Sequence, residues 1–197
     1  MNTIQQGWDI GLSSWIVQDG NYDDFETGQV VDFALELYSK AIRADETKQK
    51  SAKDLGRAMY SITGEIIYLT PDVWVLDFGI RAFQESKPPE GFVVGSFVAA
   101  EIYLGIDPFF YFEYLHRRPN IPALIYSWNI NSVRQQTAPF VETRDPSGRK
   151  MLIRDETKHG FKAIKKTDAW TDDGGNAEYV LSCVQLDAPP KFRISKP

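Results

Sequence analysis

The chain has 197 residues, with 22 basic and 27 acidic side chains and a net charge of −5. Apolar residues at 43% and charged residues at 25% are ordinary globular proportions, which excludes a disordered or collagen-like chain. The shortage of basic residues argues against a protein that tracks a phosphate backbone, so nucleic acid is not an expected partner.

This length suits one domain spanning 1–197, in which KPPEG at 87–91 is the only candidate boundary. The N-terminus lacks a basic, then apolar leader, and no apolar run is long enough to span a membrane. A cytoplasmic protein with no membrane partner is the expectation. Twelve Phe, nine Tyr and five Trp make aromatics 13% of the chain, which favours pleated, half-buried surfaces and hence β-structure.

Hydrophobic periodicity along the chain is mostly two. Trp8, Ile10, Leu12 and Ile16 alternate with polar or small residues, and so do Val31, Phe33, Leu35 and Leu37. Between them lies DGNYDDFETGQ, rich in turn formers, so strand, loop, strand is expected. Residues 39–56 are polar and free of aromatics, and read as a mobile insertion. Arg57–Leu69 and Val73–Phe83 read as long strands joined through Thr70-Pro71-Asp72, with Gly79 marking a bend. Phe92–Leu104 reads as another.

The segment Asp107-Pro108-FFYFEYL carries conflicting signals. Asp followed by Pro opens helices. Five aromatics in six positions favour a strand, because each loses rotamer freedom against a helical turn. Strand is the expectation. ALIYSWNINSV follows as a further strand, and the two are expected to pair and present a joint aromatic face. A turn signal at Asp145-Pro146-Ser147-Gly148 marks one hairpin. Phe161–Trp170 and Glu178–Leu186, flanking TDDGGNA, read as another. The sum is an all-β chain: an antiparallel β-barrel or barrel-like sandwich of about nine or ten strands with little helix.

The chemistry-bearing residues are sparse. Cys183 is the only cysteine and sits on an apolar face, so a disulfide within the chain is excluded and a core position expected. His116 and His159 read as exposed loop residues, with no nucleophile elbow or zinc motif near either. The Asp19–Asp24 run resembles half of a calcium loop but lacks its glycine and its terminal glutamate, so it reads as a connecting loop. No metal or cofactor is expected, and no phosphate-cradling glycine motif is present.

Asp77 and Glu101 each interrupt an apolar strand and are the catalytic candidates, with Arg57 and Arg81 as charge partners. A hydrolase acting through two carboxylates on a carbohydrate or ester would need them roughly 5–9.5 Å apart across a cleft. The leading expectation is instead a non-catalytic binding or protein-interaction module. Its partner would be a basic protein, an apolar small ligand, or a second copy of the chain in a homodimer. Tyr111, Tyr126 and Trp128, from the densest aromatic stretch, are the expected contact residues.

Overall fold

Alternating apolar residues place one face of each long strand in a common core, and hydrogen bonding between those strands sets the architecture. The computed structural model describes residues 7–155, 157–158, 160–186 and 189–192. About 51% of the chain is strand and 9% helix, including a closed five-stranded mixed barrel with extra strands attached.

The barrel is formed by β3 (Leu35–Ala44), β5 (Met59–Leu69), β6 (Trp74–Asp77), β7 (Arg81–Gln84) and β8 (Phe97–Ile106). Its pairs are antiparallel except β3–β7, which meet in parallel through Glu36 and Phe83. β4 (Ser51–Gly56) extends the sheet from β5. A second run of strands comprises β1 (Gly7–Ser13), β2 (Val30–Phe33), β9 (Tyr126–Gln136), β12 (Phe161–Ile164) and β13 (Glu178–Gln185). β13 lies between β1 and β9, while β2 and β12 share the other edge of β9. β1 joins the barrel through one parallel bridge, Gly11 to Gly105 on β8. Only Ala34 separates β2 from β3, so one stretch of chain serves both runs. The remaining strands, β10 (Phe140–Arg144) and β11 (Lys150–Arg154), form a separate two-stranded hairpin.

One core cluster fills the barrel and continues behind the second run of strands. Phe33 stacks on Trp128 with ring centres 5.5 Å apart, and Trp8 meets Tyr60 at 5.4 Å. Cys183 is buried in this core, as its face on β13 indicates. A smaller cluster lies outside β6 and β7, where Tyr111, Leu115, Ile121 and Leu124 cover Val75 and Phe83.

Several sequence expectations need correcting. Residues 39–56 form the end of β3 and all of β4. Arg43 and Ala44 pair with β8, and β4 pairs with β5, so backbone hydrogen bonds order a segment polar on both faces. Val73–Phe83 is a tight hairpin, in which Gly79 at φ +116° makes the turn and the Phe78 amide donates to the Ile80 carbonyl. Phe161–Trp170 and Glu178–Leu186 do not pair with each other, since β12 and β13 both pair with β9.

The largest difference is at 108–115. Phe110–Glu113 is a one-turn helix, α2, and Leu115–Arg117 continues as a 3-10 turn. Asp107 decides it: its carboxylate accepts the Phe110 and Tyr111 amides at 2.9 and 3.0 Å, giving orphan donors of the first turn a partner. The segment therefore does not pair with ALIYSWNI as a strand. The 87–91 loop connects β7 and β8 of the same barrel.

Candidate functional site

The loop between β1 and β2 builds the larger described cleft. It begins after a short helix, α1 (Ser14–Gln18), and Gly20 at φ +84° turns it outward. Backbone and side-chain hydrogen bonds then pin it to the 165–169 segment. Asp24 accepts the Thr167 hydroxyl at 2.7 Å and the Ala169 amide at 3.0 Å. The Phe25 amide donates to the Thr167 hydroxyl at 2.9 Å, and the Thr27 amide to the Lys165 carbonyl at 2.9 Å. The loop is thus held from outside itself, and Asp24 is spent on structure. Among the described residues, no group of three or more His, Cys, Asp or Glu is placed to hold a metal ion.

Pinned this way, the loop faces Phe109 across a cleft of about 470 Å³. Its walls are Tyr22, Phe25 and Phe109, with Asn21, Gln29, Val30 and Val31, and its rim carries Asp23 and Asp32. Tyr22 meets Phe25 at 5.7 Å and Phe109 edge-on at 5.5 Å, and Phe109 stacks on Phe112 at 4.5 Å. The Tyr22 hydroxyl donates to the Asp107 carbonyl at 3.1 Å, and burial raises its pKa, so the phenol stays neutral. Asp32 accepts the Lys191 ammonium at 3.1 Å and the Ser127 hydroxyl at 2.5 Å, while Asp23 is exposed. Among the described residues, no Lys, Arg or His is part of the cleft lining.

Phe109 reaches the cleft from a strained backbone. Its φ of +87° is left-handed, an outlier for a bulky residue that costs of order 1–3 kcal/mol and gathers at functional sites.

Behind Phe109 lies a buried acidic cluster. Glu36 on β3 and Asp107 after β8 share the face of the β3–β8 ladder that points away from the main core, because Leu35 pairs with Ile106 and the Asp107 amide bonds the Ala34 carbonyl. Burial is the largest cause raising both carboxyls, each to about 7, and Glu85 adds like charge. Tyr38, Tyr22, Tyr114 and Glu85 surround them, with the Tyr114 hydroxyl donating to Glu85. Neither acid lines any of the three described clefts.

The sequence-predicted site residues fall elsewhere. Asp77 binds Lys50 at 3.1 Å and Arg81 at 3.6 Å, while Arg57 sits at the distant β4–β5 turn. Glu101 is exposed and pairs opposite Ser61, whereas Asp77 pairs opposite Glu65 on the same strand. Four residues of strand separate the two positions by about 13 Å, beyond the span of a two-carboxylate cleft.

Tyr111, Tyr126 and Trp128 are all buried within the chain. Their polar atoms are satisfied internally. Tyr111 donates to the Pro122 carbonyl at 2.8 Å, Tyr126 accepts the Arg81 amide at 2.9 Å, and Trp128 donates to the Phe33 carbonyl at 3.3 Å. The joint aromatic face that motivated a homodimer is therefore interior. His116 is half-buried rather than exposed, with Nδ1 2.9 Å from the Tyr111 carbonyl, and His159 lies outside the described residues.

No known protein family, characterised protein or solved structure matches this chain. Among the described residues, no helix is long and apolar enough to cross a membrane.

Proposed function

We propose that the protein is a non-catalytic binding module whose cleft between the 21–32 loop and Phe109 receives a cationic organic group, such as a lysine or arginine side chain of a basic partner protein. One observation carries the reading: three aromatic rings and two carboxylates line the cleft, one of them, Asp32, already paired with Lys191, and among the described residues no basic side chain is part of the lining. An ammonium or guanidinium over such rings gains about 0.5–2 kcal/mol, and a rim carboxylate adds steering. Residues 1–100, which supply most of the described cleft lining, carry 8 basic against 15 acidic side chains, an excess of the same sign as the rim carboxylates.

Titration with tetramethylammonium chloride against a sodium chloride control, followed by NMR of the aromatic side chains, tests this. Selective shifts at Tyr22, Phe25 and Phe109, reduced in Asp23→Asn, support the reading. Shifts no larger than those caused by sodium chloride end it.

Self-association is a second reading, supported by the β10–β11 hairpin. Val141, Ile153 and Met151 share one of its faces and are all exposed. A two-stranded hairpin alone is marginally stable, and a second copy covering that face would support it. Sedimentation at micromolar concentration separates a 22.4 kDa monomer from a dimer.

A further inference from the structure

β1 and β8 meet through a single bridge and diverge on either side of it, opening a groove where the second run of strands leaves the barrel. Its volume is about 380 Å³, within the size range of small-molecule sites. Ser13, Tyr103, Gln136, Phe161, Glu178 and Arg57 line it.

Three features mark the groove as built. Gly11 and Gly105 face each other at the bridge, and the Tyr103 phenol lies where a side chain on Gly11 would be. The Ser13 hydroxyl bonds both oxygens of Glu178, at 2.8 and 2.7 Å, which fixes the carboxylate against the groove wall. Arg57 arrives on a backbone that is costly to hold: Gly56, Arg57 and Ala58 have φ of +85°, +57° and +59°. Hairpin turns of that kind normally take Asn-Gly. Here buried Ala58 docks its carbonyl on the Leu104 amide at 2.8 Å, which locks the tip beside Tyr103.

The groove's composition selects the ligand. One cation and one anion balance, so neither a strong anion nor a strong cation is favoured. A carboxylate and an amide offer planar donor and acceptor pairs, and two rings offer flat apolar faces. A molecule with adjacent hydroxyls and an apolar C–H face meets both demands. We propose that this groove is a binding site for a neutral polyhydroxylated ligand, a carbohydrate or polyol, held by Glu178 and Gln136 against Phe161 and Tyr103. The site is separate from the Tyr22–Phe109 cleft and does not depend on its reading.

Saturation-transfer NMR of the intact chain with glucose, galactose, mannose, maltose and myo-inositol tests it, with phosphate and tetramethylammonium as charged controls. At least one neutral probe is expected to receive saturation. Gln136→Ala and Phe161→Ala should each weaken that binding about tenfold, the loss of one good polar or stacking contact. Their melting temperatures report folding, and Gln136→Glu gives a second variant that keeps the side-chain volume while unbalancing the charge. No transfer to any neutral probe overturns the proposal. So does binding that the Gln136 and Phe161 variants leave unchanged, or a preference for phosphate over every neutral probe.

Discussion

The Tyr103 phenol occupies the space that a Cβ on Gly11 would fill, so the ring can lie across the β1–β8 bridge only because position 11 is glycine. Gly11→Ala must expel the ring or separate two strands that share one bridge. The expected cost is about 1–3 kcal/mol, as for overpacking. Tyr103→Ala should restore most of it in the double variant, so the two changes couple rather than add. Gly105→Ala is the control, because its Cβ would meet the same ring at an ordinary 3.4 Å. Urea unfolding of the four variants measures this, and additive losses would refute the relationship.

Glu36 and Asp107 predict an inverted pH dependence. Both carboxyls titrate near 7 when folded, against 4.5 and 3.8 ordinarily, so the folded state holds more protons than the unfolded between those values. Their contribution is complete below about pH 4 and is lost as pH rises toward 7 and beyond. The melting temperature should therefore be higher at pH 5 than at pH 8. Glu36→Gln should raise it at pH 8 and flatten the slope. Asp72 acts in the opposite sense: the Arg118 guanidinium holds it down at about 2, so its contribution is lost as pH falls below about 4. Calorimetry across pH 3–8 checks both limbs, and a melting temperature that climbs from pH 5 to 8 would contradict the first.

Phe109→Gly separates strain from recognition. Glycine adopts a φ of +87° freely, which recovers of order 1–3 kcal/mol, while the lost contacts with Tyr22 and Phe112 cost a similar amount. Net stability should change by less than about 1 kcal/mol, and tetramethylammonium shifts at Tyr22 should largely vanish. Thermal melts beside the NMR titration measure both. A large destabilisation with cation binding intact would reverse the assignment.

The β10–β11 hairpin is expected to tolerate polar substitution. Val141→Ser and Ile153→Ser remove exposed apolar groups, so each should alter stability by no more than about 0.5 kcal/mol. If the hairpin mediates self-association, the same pair lowers the sedimenting mass. Unchanged mass in a dimeric wild type would place the interface elsewhere.

Legibility in the sequence followed burial on a single face. β5 and most of β9 bury alternate residues, so their pattern appears directly in the order of side chains. The outer half of β3 and all of β4 have polar residues on both faces, and only their pairing with β8 and β5 makes them strands. By alternation alone Glu36, between Leu35 and Leu37, falls on the outward face. Its burial arises because the segment after Asp107 covers that outer face, a contact between positions about seventy apart in sequence. The aspartate-rich loop and the aromatic run were each visible, but their juxtaposition depends on Thr167 anchoring Asp24. The strand expectation at 108–115 weighed side-chain propensity and missed that one carboxylate satisfies two amides.

The pairing of β1 with β13 has a consequence for biosynthesis. Gly7 is matched to Val184 and Ser13 to Glu178, so β1 waits for a partner made about 170 residues after it. The barrel needs nothing beyond Ile106 and can close while the remainder is still being translated. Until Glu178 emerges, the strand of Trp8, Ile10 and Leu12 has no ladder to join, only the single bridge to Gly105, the Asp9 backbone bonds to the Tyr60 hydroxyl and side-chain packing on the barrel. A ribosome stalled in the β10–β11 hairpin would therefore display a closed barrel with the sticky β1 strand still unpaired by β13, the kind of nascent species that chaperones retain and proteases find first.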